Sequence, residues 1–77
     1  MTLNDIRPGE SAELASVSAE GPMLRRLLDL GFAENTRIKC LGASPFGDPR
    51  AFLVRGSVIA LRREDCAGIT VRAERRP

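Results

Sequence analysis

The chain has 77 residues, with twelve Lys and Arg against ten Asp and Glu for a net charge of +2. That length supports one small core and leaves no room for a deep substrate cavity, which excludes most catalysis on size alone. The faint positive excess falls far short of the concentrated basic face of many nucleic-acid-binding domains. No apolar run approaches the roughly 20 residues of a membrane span, and the start lacks a charged-then-apolar export signal. A cytoplasmic protein without direct membrane insertion is expected.

Along the chain, Leu3 to Arg7 reads as a lead-in, Pro8-Gly9 as a turn, and Glu10 to Val17 as a first strand with alternating side chains. Ser18 to Gly21 then crosses to a short helix beginning at Met23. There Met23, Leu24, Leu27, Leu28 and Leu30 recur at three- and four-residue intervals, with Arg25, Arg26 and Asp29 between them. Gly31 stops the helix, because the residue just past a helix end commonly turns left-handed and glycine does so without a Cβ clash. Phe32 is expected to pack beneath that end, and Met23 and Leu24 to lie in the core before any interface.

Thr36 to Leu41 alternates again, with Ile38 and Cys40 on one side and Arg37 and Lys39 on the other, as in a half-buried strand. Ser44 to Arg50 is dense in Gly, Pro and Asp and reads as the stiff tip of a hairpin leading into residues 51–55. Arg55-Gly56-Ser57 is a tighter reversal before residues 58–62. One helical turn over 63–67 and a last strand over 69–71 follow. The expected architecture is mainly β: a small barrel of about five strands with one short α-helix inserted after the first strand. Closing that sheet would remove its exposed edges. One domain spans residues 1–77, its core approximately 3–73, with a loose end at Arg75, Arg76 and Pro77.

Chemistry is notable by absence. With no His in the chain, neither Cys40 nor Cys66 has an imidazole base, and both read as small buried hydrophobes rather than a disulfide framework. Two thiolates alone are half a structural zinc site. Glu64 and Asp65, adjacent in sequence, point apart and mark a charged helix start. Gly47 and Gly56 belong to separate turns and form no phosphate-cradling loop. A non-enzyme with no cofactor and no metal is therefore expected, and attention passes to surfaces. Phe46 sits on a stiffened loop, where the ring folds back or meets a partner. Arg25 and Arg26 share the wet helix face, and Arg62 and Arg63 follow residues 58–62. These five residues, on the helix, the loop and the second basic pair, are the expected partner-binding surface, suited to acidic groups.

The series Leu28-x-x-Gly31, Asn35-Thr36-x-Ile38, Pro45-x-Gly47-Asp48-Pro49, Val54-x-Gly56, Ala60-Leu61-Arg62 and Ile69-x-Val71 resembles the FeoA family, in one order from about Leu3 to Val71. The resemblance implies an SH3-like barrel with a helix after the first strand, in agreement with the residue pattern. It further implies a non-catalytic cytoplasmic accessory protein of bacterial ferrous iron uptake. Such a protein binds, and regulates or assembles, an FeoB-like membrane iron transporter with a G-protein domain, and is peripheral at the inner membrane through it. Iron is then the cargo of the pathway rather than a ligand of this chain. One departure is Glu34-Asn35-Thr36 where many relatives have Pro-Gly-Thr; Asn is the non-glycine residue that best tolerates positive φ.

The alternative is a small-barrel nucleic-acid-binding or transcription-associated accessory domain, since iron-responsive repressors carry a similar barrel at the end of a longer chain. Three Phe with no Tyr or Trp make a thin stacking platform, so nucleic acid is not the expected partner. The same shortage argues against a groove for proline-rich peptides. Self-association is left open.

Overall fold

A computed structural model describes residues 1–74, so the end expected to be loose, Arg75, Arg76 and Pro77, lies outside the described residues. In chain order the elements are β1 (Ser11–Val17), α1 (Gly21–Asp29), β2 (Arg37–Ala43), β3 (Arg50–Val54), β4 (Ser57–Leu61), α2 (Arg63–Cys66) and β5 (Ile69–Ala73). The strands form one antiparallel sheet in the order β4-β3-β2-β1-β5. Each strand sends alternate apolar side chains to a common core in which Phe52 and Phe32 are the largest fully buried members. On β2 the sides are as the alternation requires, Ile38 and Cys40 buried and Arg37 and Lys39 exposed.

The helix α1 starts at Gly21, two residues earlier than the apolar spacing suggests. Pro22 falls in the first turn, where its fixed φ suits the helix and its missing N–H costs nothing. The end is built as the sequence implies. Gly31 has φ +99°, the Phe32 N–H donates to the Leu27 carbonyl at 3.0 Å, and the Gly31 N–H donates to Leu28 at 3.0 Å. This pair of bonds satisfies carbonyls that the helix end would orphan, and Phe32 and Leu27 are buried together where the motif places a hydrophobic contact. Asn35 also adopts a positive φ, +69°, a conformation that Asn tolerates best among the non-glycine residues.

The N-terminal segment departs from its expected role as a mere lead-in. Leu3 is fully buried and Ile6 nearly so. The Leu3 N–H donates to the Ile69 carbonyl at 3.1 Å, the Val71 N–H donates to Met1 at 2.8 Å, and Thr2 bridges Thr70. Arg50 fixes the segment from the other side. Its guanidinium donates to the carbonyls of Leu3 at 2.7 Å and Ile6 at 2.6 Å, and lies 3.4 Å from the Cys40 sulfur and 5.7 Å from the centre of the Phe52 ring. A charged donor shared between two carbonyls is a strong tether. Residues 1–3 thus run along the outer edge of β5 and cover it.

Closure of the sheet is therefore partial, which corrects the expectation of a sheet without edges. β4 pairs with β3 alone among the strands, and its other side carries no further strand among the described residues. The β3–β4 hairpin turns through Arg55 and Gly56, with φ of +49° and +79°, the two consecutive positive values that match the twist of the flanking strands. No helix among the described residues is long and apolar enough to cross a membrane.

Candidate partner-binding surface

The loop between β2 and β3 is stiffened from within. The Ser44 hydroxyl donates to the Asp48 carbonyl at 2.6 Å and accepts from the Asp48 N–H at 3.1 Å, while the Gly47 N–H donates to the Ser44 carbonyl at 2.8 Å. Held this way, the loop leaves Phe46 95% exposed; the ring does not fold back onto the barrel. Such a ring in water is costly unless something covers it.

Asp48 also ties the loop to α2. Its Oδ1 accepts from the Arg63 N–H at 2.9 Å, capping a helix start that receives no cap from the side chain of Arg62. The Asn4 side-chain amide donates to the Arg63 carbonyl at 3.1 Å, so the same residue is gripped from the N-terminal segment. Phe46, Arg62 and Arg63 are in this way brought to one end of the barrel, with both arginines exposed.

Arg25 and Arg26 are also exposed, but on α1, which has other neighbours. The end of α1 meets the β3–β4 turn, where a Cβ placed on Gly31 would lie 2.8 Å from Cδ of Arg55. Arg55 follows the last residue of β3, whereas the Phe46 loop precedes the first, and five extended residues separate those ends by roughly 13 Å. The five expected residues thus form two neighbourhoods rather than one contiguous patch.

Leu28, which its spacing assigns to the apolar face of the helix, is 54% exposed. With half-buried Leu24 it flanks Arg25 along an open groove on α1. The signal was present in the spacing: two overlapping apolar rows, Leu24/Leu28 and Met23/Leu27/Leu30, are more than one contact face of a nine-residue helix absorbs. Only Leu27 is fully buried, with Met23 and Leu30 packed partly against the core.

The cysteines offer no nucleophile. Both are free and fully buried. Burial pushes the Cys66 thiol up to about 11 despite the opposing pull of the Arg50 guanidinium, so it stays protonated at neutral pH. Glu64 and Asp65 occupy the first turn of α2, where carboxylates favour the helix dipole.

Comparison with known proteins bears on the fold and the family. Residues 1–73 match the model of the FeoA domain. An Fe(2+) transport protein A/Fe(2+) transporter FeoB fusion protein of Porphyromonas gingivalis is 31% identical over 71 residues, a match covering 92% of this chain and 8% of that protein. The chain therefore spans a small fraction of that relative. The solution structure of FeoA from Chlorobium tepidum superposes with a TM-score of 0.89 at 38% identity, over 95% of this chain and 70% of that one. A FeoA from Stenotrophomonas maltophilia complexed with zinc, described as a prokaryotic SH3 domain protein, superposes at 0.81 with 29% identity, over 92% of this chain and 88% of that one. The fold is an SH3-like barrel.

Proposed function

The chain belongs to the FeoA family of ferrous iron transport, and on that premise we propose that it is a non-catalytic accessory domain that binds an FeoB-type membrane transporter and regulates or assembles it from the cytoplasmic side. The observation that carries this is the fused relative, in which a domain 31% identical to this chain shares one polypeptide with the transporter. Fusion holds two partners at high effective concentration, which favours a contact between the two folded units. Residues 3–73 act as the single binding unit, with iron as the cargo of the transporter.

The docking surface has two parts: Phe46 with Arg62 and Arg63 at one end of the barrel, and Arg25 and Arg26 beside Leu24 and Leu28 on α1. Each combines exposed apolar area with guanidinium groups that pair with carboxylates in forked geometry. Binding of the purified domain to the detergent-solubilised transporter of the same cell, with nucleic acid as competitor, tests the reading. Saturable binding indifferent to nucleic acid is expected, weakened at least tenfold by R25E/R26E combined with F46A in a variant that stays folded. Unchanged affinity dismisses this surface, and salt-sensitive nucleic-acid binding without transporter binding dismisses the function.

A further inference from the structure

We propose that the outer face of β2 beside the β3–β4 turn is an oxyanion site, where Lys39, Arg55 and Arg37 bind a phosphate group, free or carried on a nucleotide. The site shares no residue with the Phe46 end, the two arginine pairs or the Leu24/Leu28 groove, and it is independent of transporter binding.

Strand register assembles the three cations. Ile38 pairs with Val54 and Lys39 with Leu53, so Arg37, just before Ile38, and Arg55, just after Val54, are the next neighbours across the two strands. Alternation puts Arg37 and Lys39 on the same exposed side of β2. Lys39 is then diagonal to Arg55, a separation that long side chains span. Together with Thr36, Leu53 and Gly56 they line an open groove of about 490 Å³.

Both arginines are positioned before anything binds. Arg55 is fixed at the turn with φ +49°, and its stem fills the space that a Cβ on Gly31 would need, 2.8 Å from Cδ. Arg37 gives its Nε to Glu74 at 2.7 Å and its Nη2 to the Ser11 hydroxyl at 3.4 Å. Groups held in this way lose less freedom when a ligand arrives.

Charge selects the ligand. Like charges set across from each other cost stability, and the carboxylates of the chain do not cancel them. Glu74 answers Arg37, while Glu13, opposite Arg37 on β1, pairs with Arg72 at 3.3 Å. Lys39 and Arg55 take part in no salt bridge among the described residues. Two positive charges are thus left on side chains that reach a common point. A carboxylate answers one of them, whereas a phosphate group brings close to two negative charges and several acceptor oxygens for a guanidinium and an ammonium together. Thr36, in the wall of the same groove, is buried with its hydroxyl unpartnered, so the protein leaves a polar group unsatisfied there. Half-buried Leu53 adds an apolar wall, and the groove has the size of a small-molecule site rather than of a bare ion.

The test titrates inorganic phosphate, pyrophosphate, a nucleoside diphosphate and acetate at matched ionic strength into the isotope-labelled full chain. Phosphate is expected to shift the amide signals of Lys39, Leu53, Arg55 and Gly56 and to saturate in the millimolar range or below, while acetate does not saturate. A nucleoside diphosphate that binds about tenfold tighter than pyrophosphate identifies the ligand as a nucleotide, and equal binding identifies it as phosphate alone. K39Q, at an exposed position, should weaken phosphate about tenfold, the loss of one charged contact. R7Q removes an exposed arginine outside the groove and should leave binding unchanged. Acetate acting on the same amides as strongly as phosphate, no saturation by phosphate in the millimolar range, or R7Q weakening it as much as K39Q would each overturn the proposal.

Discussion

The two edges of this sheet meet opposite fates. β5 is covered by residues 1–3, held there by main-chain bonds to Ile69 and Val71 and by the fork of Arg50 on the carbonyls of Leu3 and Ile6. Among the described residues β4 runs with no strand on its outer side, and an apolar residue, Val58, is displayed there. The covered side carries the added buried residues Leu3 and Ile6 and the charged tether of Arg50.

Breaking the covered edge should have the largest effect. L3A removes a fully buried side chain between β5 and Arg50 and is expected to cost about 3 kcal/mol by denaturant unfolding, with accelerated amide exchange at Val71. A loss below about 1 kcal/mol would mean that the segment packs without supporting the core. Next comes pH. The Cys66 thiol, raised from 9.0 to about 11 by burial, keeps its proton in the folded chain where the unfolded chain has lost it. The folded state then binds more protons, so stability falls as pH rises from about 9 to about 11, by on the order of 2 kcal/mol. That contribution to the slope should be absent in C66A, whatever the cavity costs. The smallest effect is expected at the open edge: V58K should change stability by less than about 0.5 kcal/mol, because the side chain is exposed and its N–H is outside the ladder. A larger loss at Val58 would erase the contrast between the edges.

Much of this was legible in the residues, and where it was not the reason is geometric. The glycine stop at Gly31, the positive φ of Asn35 and the alternation on β2 are local, set within a few residues by sterics and side-chain period. The role of Leu3 and Ile6 was not legible, because two apolar residues in a polar stretch carry no period; only the return of Arg50 from 44 or more positions away reveals them as core. The open β4 edge was likewise hidden, since strand order is a property of the whole chain and not of any strand. For the surface, the type of each residue was readable but its company was not. Phe46, Arg62 and Arg63 meet through one carboxylate, Asp48, whose sequence role is that of an ordinary turn residue.

That carboxylate has a mechanical side. Asp48 holds the N–H of Arg63, Asn4 holds the carbonyl of the same residue, and Leu3 next to Asn4 is bonded to Ile69. Loop, α2, N-terminal segment and β5 are joined in series like links in a truss. These bonds give the Phe46 loop a continuous hydrogen-bonded route to β5, on the far margin of the sheet from β4.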